Sequence, residues 1–541
     1  MRVMSSRPRP AGRRIGPARV ALRTHRRQIL AWTLPLLGLL VIVGPSYAST
    51  YPQLNQRTHL IDSLSGNVAT RLLYGPLPRP GTIGQLLTWE MGTYLVIVSS
   101  VFTLLLGVRF GRGAEESGAA ELLQACGHSA AARLRGALAA VTVVAVGLGV
   151  GVAAVLLAES GLVEELTVRG ALSLGLVTTC TGLFFGLAGL LAGALADSTG
   201  LARVLGFVVL AISFVLRAVA NVHGVVALRW VSPLGWIDVV SPYTRNRWWT
   251  GAVFLAACVS VGGLVWLAGQ GREYGSAVLH ERAVSDDRLR VRSVVALTWH
   301  LERGRWLAWT VGVVAIGAFF GGMSGNLVTL LEGDSNTARL MREMTGEHRL
   351  DAAFFSFAGV LIGLLVGCYA VLTVLASGTE EGDGLLEDLL ACGVRRRESL
   401  SARAVLAALG SLTMLLAAGA VCSLVTLSQL HGGAAGRGFS YVAGQWPAVL
   451  ALTGLGVLCV GARRSLGVLA WVPVAGSAVL VLMGSVLHAP RWLQASAVFA
   501  HVPDYADGSV PSTGVVALLG CGVVCLLIGV VWRGRRDLMP E

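Results

Sequence analysis

The sequence contains no lysine, because all 43 basic residues among its 541 residues are arginine. A nucleotide-binding P-loop of the pattern GxxxxGK[ST] requires a lysine, so this chain carries no such loop. Catalysis through a Schiff base is excluded as well, since that chemistry also uses a lysine amine. If ATP drives this protein, the ATP has to be bound by another chain.

Charged residues of either sign are scarce, at 13% against 54% hydrophobic residues, and the mean hydropathy is +0.68. Soluble proteins carry about 25% charged residues. Twelve apolar runs approach or exceed the roughly 20 residues of a membrane-spanning helix, and only the fifth contains a charge, Arg217. The runs are 28–56, 91–108, 136–158, 170–196, 204–228, 248–271, 306–331, 352–379, 404–436, 438–462, 465–490 and 509–532.

These runs predict an all-α polytopic membrane protein of twelve transmembrane helices in two tandem six-helix halves, with both termini cytoplasmic. The first run could alternatively be a signal peptide, but it is long for one, and an uncleaved first span is favoured. Ala21–His25 resembles Ala296–His300, so each half is expected to begin with a short amphipathic segment. The predicted parts are a basic cytoplasmic N-terminus with the first amphipathic segment (1–27), the first half (28–271), a cytoplasmic linker with the second segment (272–305), the second half (306–532) and a cytoplasmic tail (533–541).

The net charge of +13 could suggest a nucleic-acid partner. The arginines are concentrated in the connections that a cytoplasmic N-terminus would place inside the cell, which is the positive-inside pattern. This distribution favours a lipid bilayer as the partner and no nucleic acid. The nine cysteines include no CxxC pair and no metal-like spacing with histidine, so no metal or cofactor site is predicted.

A short polar stretch between the second and third runs of each half repeats. In the first half it is 113–135 and in the second 378–403. Both contain a Glu-Glu pair, a glycine, another glutamate, leucines and Ala-Cys-Gly. The flanking glycines predict about two helical turns ended by Cys-Gly. A solvated loop is one interpretation, but such a loop has no reason to repeat its residues in order, so a docking surface is favoured.

The repeated order resembles the signature of bacterial ABC-2-type exporter permeases. The duplicated twelve-span form resembles the polyketide-antibiotic (tetronasin-type) exporter permeases of GC-rich bacteria. Segments 230–236 (WVSPLGW), 241–243 (SPY), 499–503 (FAHVP) and 535–538 (RRDL) are also similar to that family. Family members usually have Pro-Val, followed soon by an arginine, where Cys126-Gly127 and Cys392-Gly393 stand here. Only the second copy keeps arginines nearby, so the two copies are not expected to be equivalent.

The resemblance implies a multi-pass permease of the bacterial plasma membrane that is not itself an enzyme. The polar stretches would be coupling helices, contacting two copies of a separate ABC ATPase subunit. ATP binding would switch the halves between inward and outward access, exporting hydrophobic or amphiphilic, antibiotic-like compounds. The expected interface is Glu115, Glu116, Gly118, Glu121, Leu122, Leu123, Glu380, Glu381, Gly384, Glu387, Leu389, Leu390, Arg395 and Arg396.

Two features lie toward the opposite side of the membrane. Aromatic and proline-rich segments after the fifth span of each half predict either an interfacial aromatic belt or an outer gate. The candidate gate residues are Trp230, Pro233, Trp236, Trp492 and His501. Arg217 is the one charge within a span, about a turn and a half from its outer end. It could snorkel or form a local ion pair, or it could line the pathway.

Two other functions are weaker interpretations. An ion-coupled secondary multidrug transporter usually needs acidic groups inside the membrane, and the charge-free runs contain none. An integral-membrane transferase would need carboxylates or histidines gathered at one membrane face, and the sequence shows no such cluster.

Overall fold

The computed structural model describes residues 16–50, 52–54, 57–58, 61, 74–270, 279, 291, 293–333, 350–382, 385–428, 434–483, 496–502 and 512–536. Within these ranges the chain is almost entirely helical and contains no β-strand. It divides into two compact units, Met1–Asp287 and Arg288–Glu541, and this division falls inside the predicted linker.

The described part of the first unit contains six helices that are long and apolar enough to cross a membrane. Its described helices are α1 Pro17–Thr24, α2 Arg26–Thr50, α3 Ile83–Leu87, α4 Thr93–Val108, α5 Ala114–Glu116, α6 Ala119–Ala125, α7 Ala130–Glu159, α8 Val168–Leu195, α9 Thr199–His223, α10 Val226–Val231, α11 Trp236–Val240 and α12 Thr250–Gln270. Wider π-helical turns, Thr88–Gly92 and Arg109–Gly113, join α3 to α4 and α4 to α5, so Ile83–Glu116 is one continuous helix.

The second unit also consists of long and short helices. Its described helices are α13 Val294–Gly333, α14 Leu350–Gly382, α15 Leu385–Ala391, α16 Arg396–Leu427, α17 Ala434–Ala443, α18 Trp446–Ala462, α19 Trp471–Met483 and α20 Ser512–Arg535. Turns of 3-10 helix cover Pro233–Gly235 in the first unit, and Arg464–Ala470 and Val498–His501 in the second.

Eleven helices among the described residues are long and apolar enough to cross a membrane. They correspond to eleven of the twelve predicted runs. The remaining run, 465–490, is described as a 3-10 segment followed by α19, and its last part (484–490) lies outside the described residues. The all-helical, multi-span prediction is therefore confirmed, whereas the count of twelve stays a prediction.

The two amphipathic segments differ. In the first unit, α1 is a separate helix that ends at Thr24 and packs on α7, where Gly136 lies against Pro17. In the second unit, Ala296–His300 belongs to α13, which runs without a break for 40 residues. The predicted amphipathic segment within 272–305 therefore stays a prediction. In this part of α13, Glu302 pairs with Arg305 one turn later, at 3.0 Å.

Glycines let several spanning helices touch backbone to backbone. A Cβ atom added at Gly189 of α8 would collide with the carbonyl of Leu104 in α4. In the second unit, a Cβ at Gly317 would lie 2.7 Å from the carbonyl oxygen of Ala418. Small residues commonly allow such close approach between membrane helices, so these glycines have a packing role. Gly147 is an exception, because a Cβ there would meet nothing within 4 Å.

Gly189→Val should separate α8 from α4 and destabilise the first unit by about 1–3 kcal/mol, the usual cost of overpacking. Gly147→Val, on α7, is the matched control and should cost much less, because its site is open. Thermal unfolding of the detergent-purified variants measures the difference. Equal melting temperatures for the two variants would contradict the packing role of Gly189.

Candidate functional site

The two repeated polar stretches form matching short helices. In the first unit, α6 starts after Gly118, whose φ of 72° lies in the left-handed region, and stops before Gly127 at φ 83°. In the second, α15 stops before Gly393 at φ 86°. Glycine adopts this backbone conformation without strain, which explains Cys-Gly as the terminator. The predicted short helices are confirmed, although Gly384 lies outside the described residues.

Both short helices turn one residue inward and several outward. Ala120 in α6 and Leu386 in α15 are buried. Outward-facing residues in α6 include Glu121 and Leu122, and Leu122 is 70% exposed. In α15 the exposed residues include Leu385, Glu387 and Asp388. Leu123, Leu389 and Leu390 are half-buried. Each unit therefore presents an acidic and apolar face on a small helix.

The first Glu-Glu pair holds α5 against the rest of the unit. The buried Arg112 guanidinium donates to Glu115 at 3.0 Å and also to the backbone carbonyl of Asp197. Glu116 accepts a hydrogen bond of 2.6 Å from the backbone N–H of Thr199, at the start of α9. A carboxylate is stabilised at this positive end of a helix. The pair thus ties the polar stretch to α8 and α9.

The second Glu-Glu pair is held by three arginines. Arg403 of α16 is buried and contacts both Glu380 of α14 and Glu302 of α13, the latter at 3.0 Å. Glu381 accepts hydrogen bonds from Arg533, which is 1% exposed, and Arg536. These ion pairs connect α13, α14, α16 and the end of α20 in the second unit. Glu380 and Glu381 lie in the last turn of α14, shortly before α15 begins.

The expected interface therefore separates into two groups. Glu115, Glu380 and Glu381 point toward arginines of their own unit, while Glu121, Leu122 and Glu387 face outward. Arg395 and Arg396, at the start of α16, also differ from each other in their contacts. Arg395 has a side chain 71% exposed and lies 4.0 Å from Glu398, whereas Arg396 donates at 3.0 Å to the backbone carbonyl of Arg536.

A cavity of about 770 Å³ lies beside α6 in the first unit. It is lined by α1, by the end of the Ile83–Glu116 helix and by the inner side of α6, including Leu123. Arg133 spans part of its wall and donates at 2.9 Å to the carbonyl of Ala120, holding α6 against α7. His25 also lines it, and burial together with the nearby Arg109 lowers the pKa of His25 below its usual value.

The segment after α9 is folded into the first unit. Pro233 and Trp236 are buried, and the Trp236 ring stacks on Phe254 with centroids 4.3 Å apart. The Trp236 indole N–H donates at 3.0 Å to the carbonyl of Trp230. Trp248 and Trp249 remain exposed, as an interfacial belt requires. In the second unit, His501 is exposed in a 3-10 turn, and Trp492 lies outside the described residues.

Arg217 does not snorkel. Its side chain is buried and pairs with Asp238 of α11, with the Nε and Oδ2 atoms 2.7 Å apart. It also donates at 3.1 Å to the hydroxyl of Thr93. The predicted local ion pair is confirmed. The sequence analysis did not single out Asp238, although it is the one acidic residue in the aromatic and proline-rich stretch 230–249.

Glu159, at the end of α7, is a further acidic group and lies at the end of a predicted span. It follows the third charge-free run directly and is 4% exposed. Its carboxylate lies against Gly44 of α2, and both its oxygens are buried without a hydrogen-bond partner in the described structure. Burial of an ionisable group at a span end marks a functional candidate. The described residues contain no cluster of three or more metal-ligating side chains.

Comparison with known proteins agrees with this architecture. Residues 291–532 match a family model described as the C-terminal domain of the multidrug efflux system permease Rv1217c. The chain is 29% identical to the Mycobacterium tuberculosis multidrug efflux system permease protein Rv1217c over 550 residues, covering 98% of each protein. With eleven helices able to cross a membrane, the chain is a multi-pass protein of the plasma membrane.

Arg403→Gln should destabilise the second unit by about 3 kcal/mol, because it leaves the buried Glu302 carboxylate and the partly buried Glu380 carboxylate without their shared cation. Arg305→Gln is the matched control. Arg305 also pairs with Glu302, but its side chain is 45% exposed, so its removal should cost under about 1 kcal/mol. Thermal unfolding in detergent tests both changes, and similar losses in the two variants would contradict the assigned role of Arg403.

Proposed function

We propose that this chain is the membrane-spanning permease subunit of an ATP-driven ABC exporter. It would move hydrophobic or amphiphilic, drug-like compounds out of the cell, and a separate ATPase subunit, in two copies, would supply the energy. The chain would have twelve spans with cytoplasmic termini, which puts α6 and α15 in the cytoplasm. Similarity to a protein named as a multidrug efflux system permease supports the export of drug-like compounds.

The observation that carries this proposal is the repetition of one short helix in both units. Helices α6 and α15 each end at a left-handed glycine, bury one apolar residue and expose an acidic and apolar face. An isolated helix of seven residues would be marginal in water, so each depends on its anchors to the larger helices. A repeated, anchored and outward-facing helix is suited to docking in a groove of another protein.

The anchors suggest how docking would produce movement. Glu115 and Glu116 connect the first polar stretch to α8 and α9, while Glu380 and Glu381 connect the second to α16 and α20. A push on either short helix would therefore act on several spanning helices at once. ATP binding would favour one of two helix packings through its different contacts in each. The paired glutamates thus act as positioning residues behind the docking face.

The docking face can be tested with the combined variant Glu121→Ala, Leu122→Ala, Leu385→Ala and Glu387→Ala. Co-purification with the cognate ATPase should fall at least about tenfold, because truncated anchor residues at an interface commonly cost more than 1 kcal/mol each. The unfolding temperature of the permease alone should stay unchanged, since all four side chains are exposed.

Leu162→Ala with Glu164→Ala supplies a matched control. These residues are also an exposed leucine and glutamate, but they lie beyond the opposite end of α7 from α6. This variant should retain the ATPase. Retention of the ATPase by the four-residue variant would rule out the proposed docking face.

An ion-coupled secondary transporter is the second candidate, and Glu159 is the observation that favours it. A buried carboxyl group without hydrogen-bonding partners at the end of a span is suited to carrying a proton or cation. The charge-free runs themselves still contain no acidic residue, and Asp238 is already paired with Arg217. The exporter driven by an ATPase therefore remains the better-supported function.

Glu159→Gln separates the two candidates in proteoliposomes that contain the permease and its ATPase. Under the ATP-driven mechanism, this variant should keep export of a fluorescent drug within about twofold of the wild type. Export should require ATP and continue without a proton gradient. If a proton gradient drives export without ATP, and Glu159→Gln abolishes it, the secondary-transport mechanism is correct.

A further inference from the structure

A second cavity, of about 390 Å³, lies at the end of the first unit away from α6. Helix α9 runs between the two ends of the unit. It begins beside Glu116, and Arg217, near its other end, lines this cavity. The connection before α3, the start of α4, α10, α11 and the turn before α12 complete the walls. The volume lies within the usual range for small-molecule sites, about 300–1,000 Å³.

The walls of this cavity are strongly cationic. Its described lining residues include four arginines and one carboxylate, that of Asp238. That carboxylate is already engaged by Arg217, through Nε–Oδ2 and Nη2–Oδ1 contacts of 2.7 and 3.2 Å. The other lining arginines, Arg229, Arg245 and Arg247, therefore give the cavity an excess of positive charge. Such a concave site concentrates anions.

Two guanidinium donors at this site have no hydrogen-bond partner among the residues that the structure describes. Nη1 of Arg217 and Nε of Arg229 are buried and make no hydrogen bond in the described structure. Arg217 is 1% exposed, so bulk water does not solvate it freely. Leaving a buried charged donor unsatisfied is costly. An anion with several oxygens could accept from both arginines, which is the kind of recognition that guanidinium groups favour.

Part of the wall is apolar and aromatic. Tyr74 and Trp89 pack with ring centroids 4.7 Å apart, and the Trp89 indole N–H is already used by the carbonyl of Gly75 at 3.0 Å. Pro76 and Trp230 extend this surface. Since these groups offer a ligand mainly apolar contact, the cavity combines an anion-binding side with a side suited to a hydrocarbon chain.

We propose that this cavity binds the anionic group of an amphiphile, either a phosphate or a carboxylate. Arg217 and Arg229 would hold the oxygens, and Arg247 would add positive charge, while Tyr74 and Trp230 would contact the apolar part. The ion pair with Asp238 fixes the orientation of Arg217 in the wall of the cavity. This site does not depend on how transport is energised, because the proposal concerns binding at the end of the unit away from α6.

The test is titration of the purified full-length protein, in a neutral detergent, with dimyristoylphosphatidylglycerol. Bound lipid is counted by native mass spectrometry. Arg229→Gln combined with Arg247→Gln should weaken binding at least about tenfold, because charge-assisted hydrogen bonds are lost. Arg217 is left unchanged, since its removal would strand Asp238. Arg229→Lys, which keeps the charge but loses the Nε donor, should bind with intermediate affinity.

Arg169→Gln is the matched control, because Arg169 is an exposed arginine at the start of α8 that does not line the cavity. It should bind the lipid as the wild type does. Equal binding by the pocket variant and by Arg169→Gln would overturn the proposal. Equal binding of zwitterionic dimyristoylphosphatidylcholine by the wild type would overturn its electrostatic basis.

Two further probes identify the source of the anion. Dodecyl phosphate represents a single-chain anionic solute, and inorganic phosphate represents the ion alone. If dodecyl phosphate displaces the lipid at a concentration below that of the lipid, the result supports the amphiphile site and points to a transported solute. Preference for the two-chain lipid supports the site and points to a membrane headgroup. Displacement by inorganic phosphate as effective as by dodecyl phosphate would contradict a role for the apolar wall.

Discussion

Pairing of buried arginines with carboxylates is the interaction on which this structure most depends. A guanidinium removed from water is tolerated only where anions and hydrogen-bond acceptors surround it. In the first unit Arg112 and Arg217 meet this requirement through Glu115 and Asp238. In the second unit Arg403 does so through two glutamates. Each pair joins different helices or segments, so the same contacts that neutralise charge also position the short helices.

Close helix packing complements these ion pairs. Where glycines allow backbones to touch, as between α4 and α8, neighbouring helices cannot slide without losing many contacts. A short helix anchored to such a packed group moves with it. The proposed coupling therefore needs no flexible lever, because the anchors and the glycine contacts make each polar stretch part of its bundle.

The two units use the same short helix but hold it differently. In the first, Arg133 clamps α6 from α7, and a large cavity lies on its inner side. In the second, Glu381 receives two arginines from the end of α20, and α16 begins with exposed Arg395. Cys-Gly stands where the permeases that the sequence resembles usually have Pro-Val, and only the second copy keeps arginines nearby, which predicts unequal copies. The different anchors are consistent with that prediction. Unequal docking by the ATPase remains a proposal.

The sequence by itself determined the membrane class, the positions of most spans and the repeated short helices. Those features depend on local properties, namely the length of apolar runs and glycine at helix ends. The absence of lysine likewise excluded a P-loop without any structure. The local pattern predicted the helices less well at two places. At 465–490 a 3-10 segment precedes α19, and at 296–300 the amphipathic segment is part of the long helix α13.

Only the tertiary structure decided which charges are available to a partner. Glu381 and Arg533 are 152 positions apart, and Glu302 and Arg403 are 101 apart. No local pattern connects such residues, so acidic side chains expected on a docking face proved to be internal anchors. The cationic cavity around Arg217 was hidden for the same reason, since its walls come from segments separated by spanning helices. Charge pairing is set by distance in space, and in a helical membrane protein the packing of whole helices sets that distance.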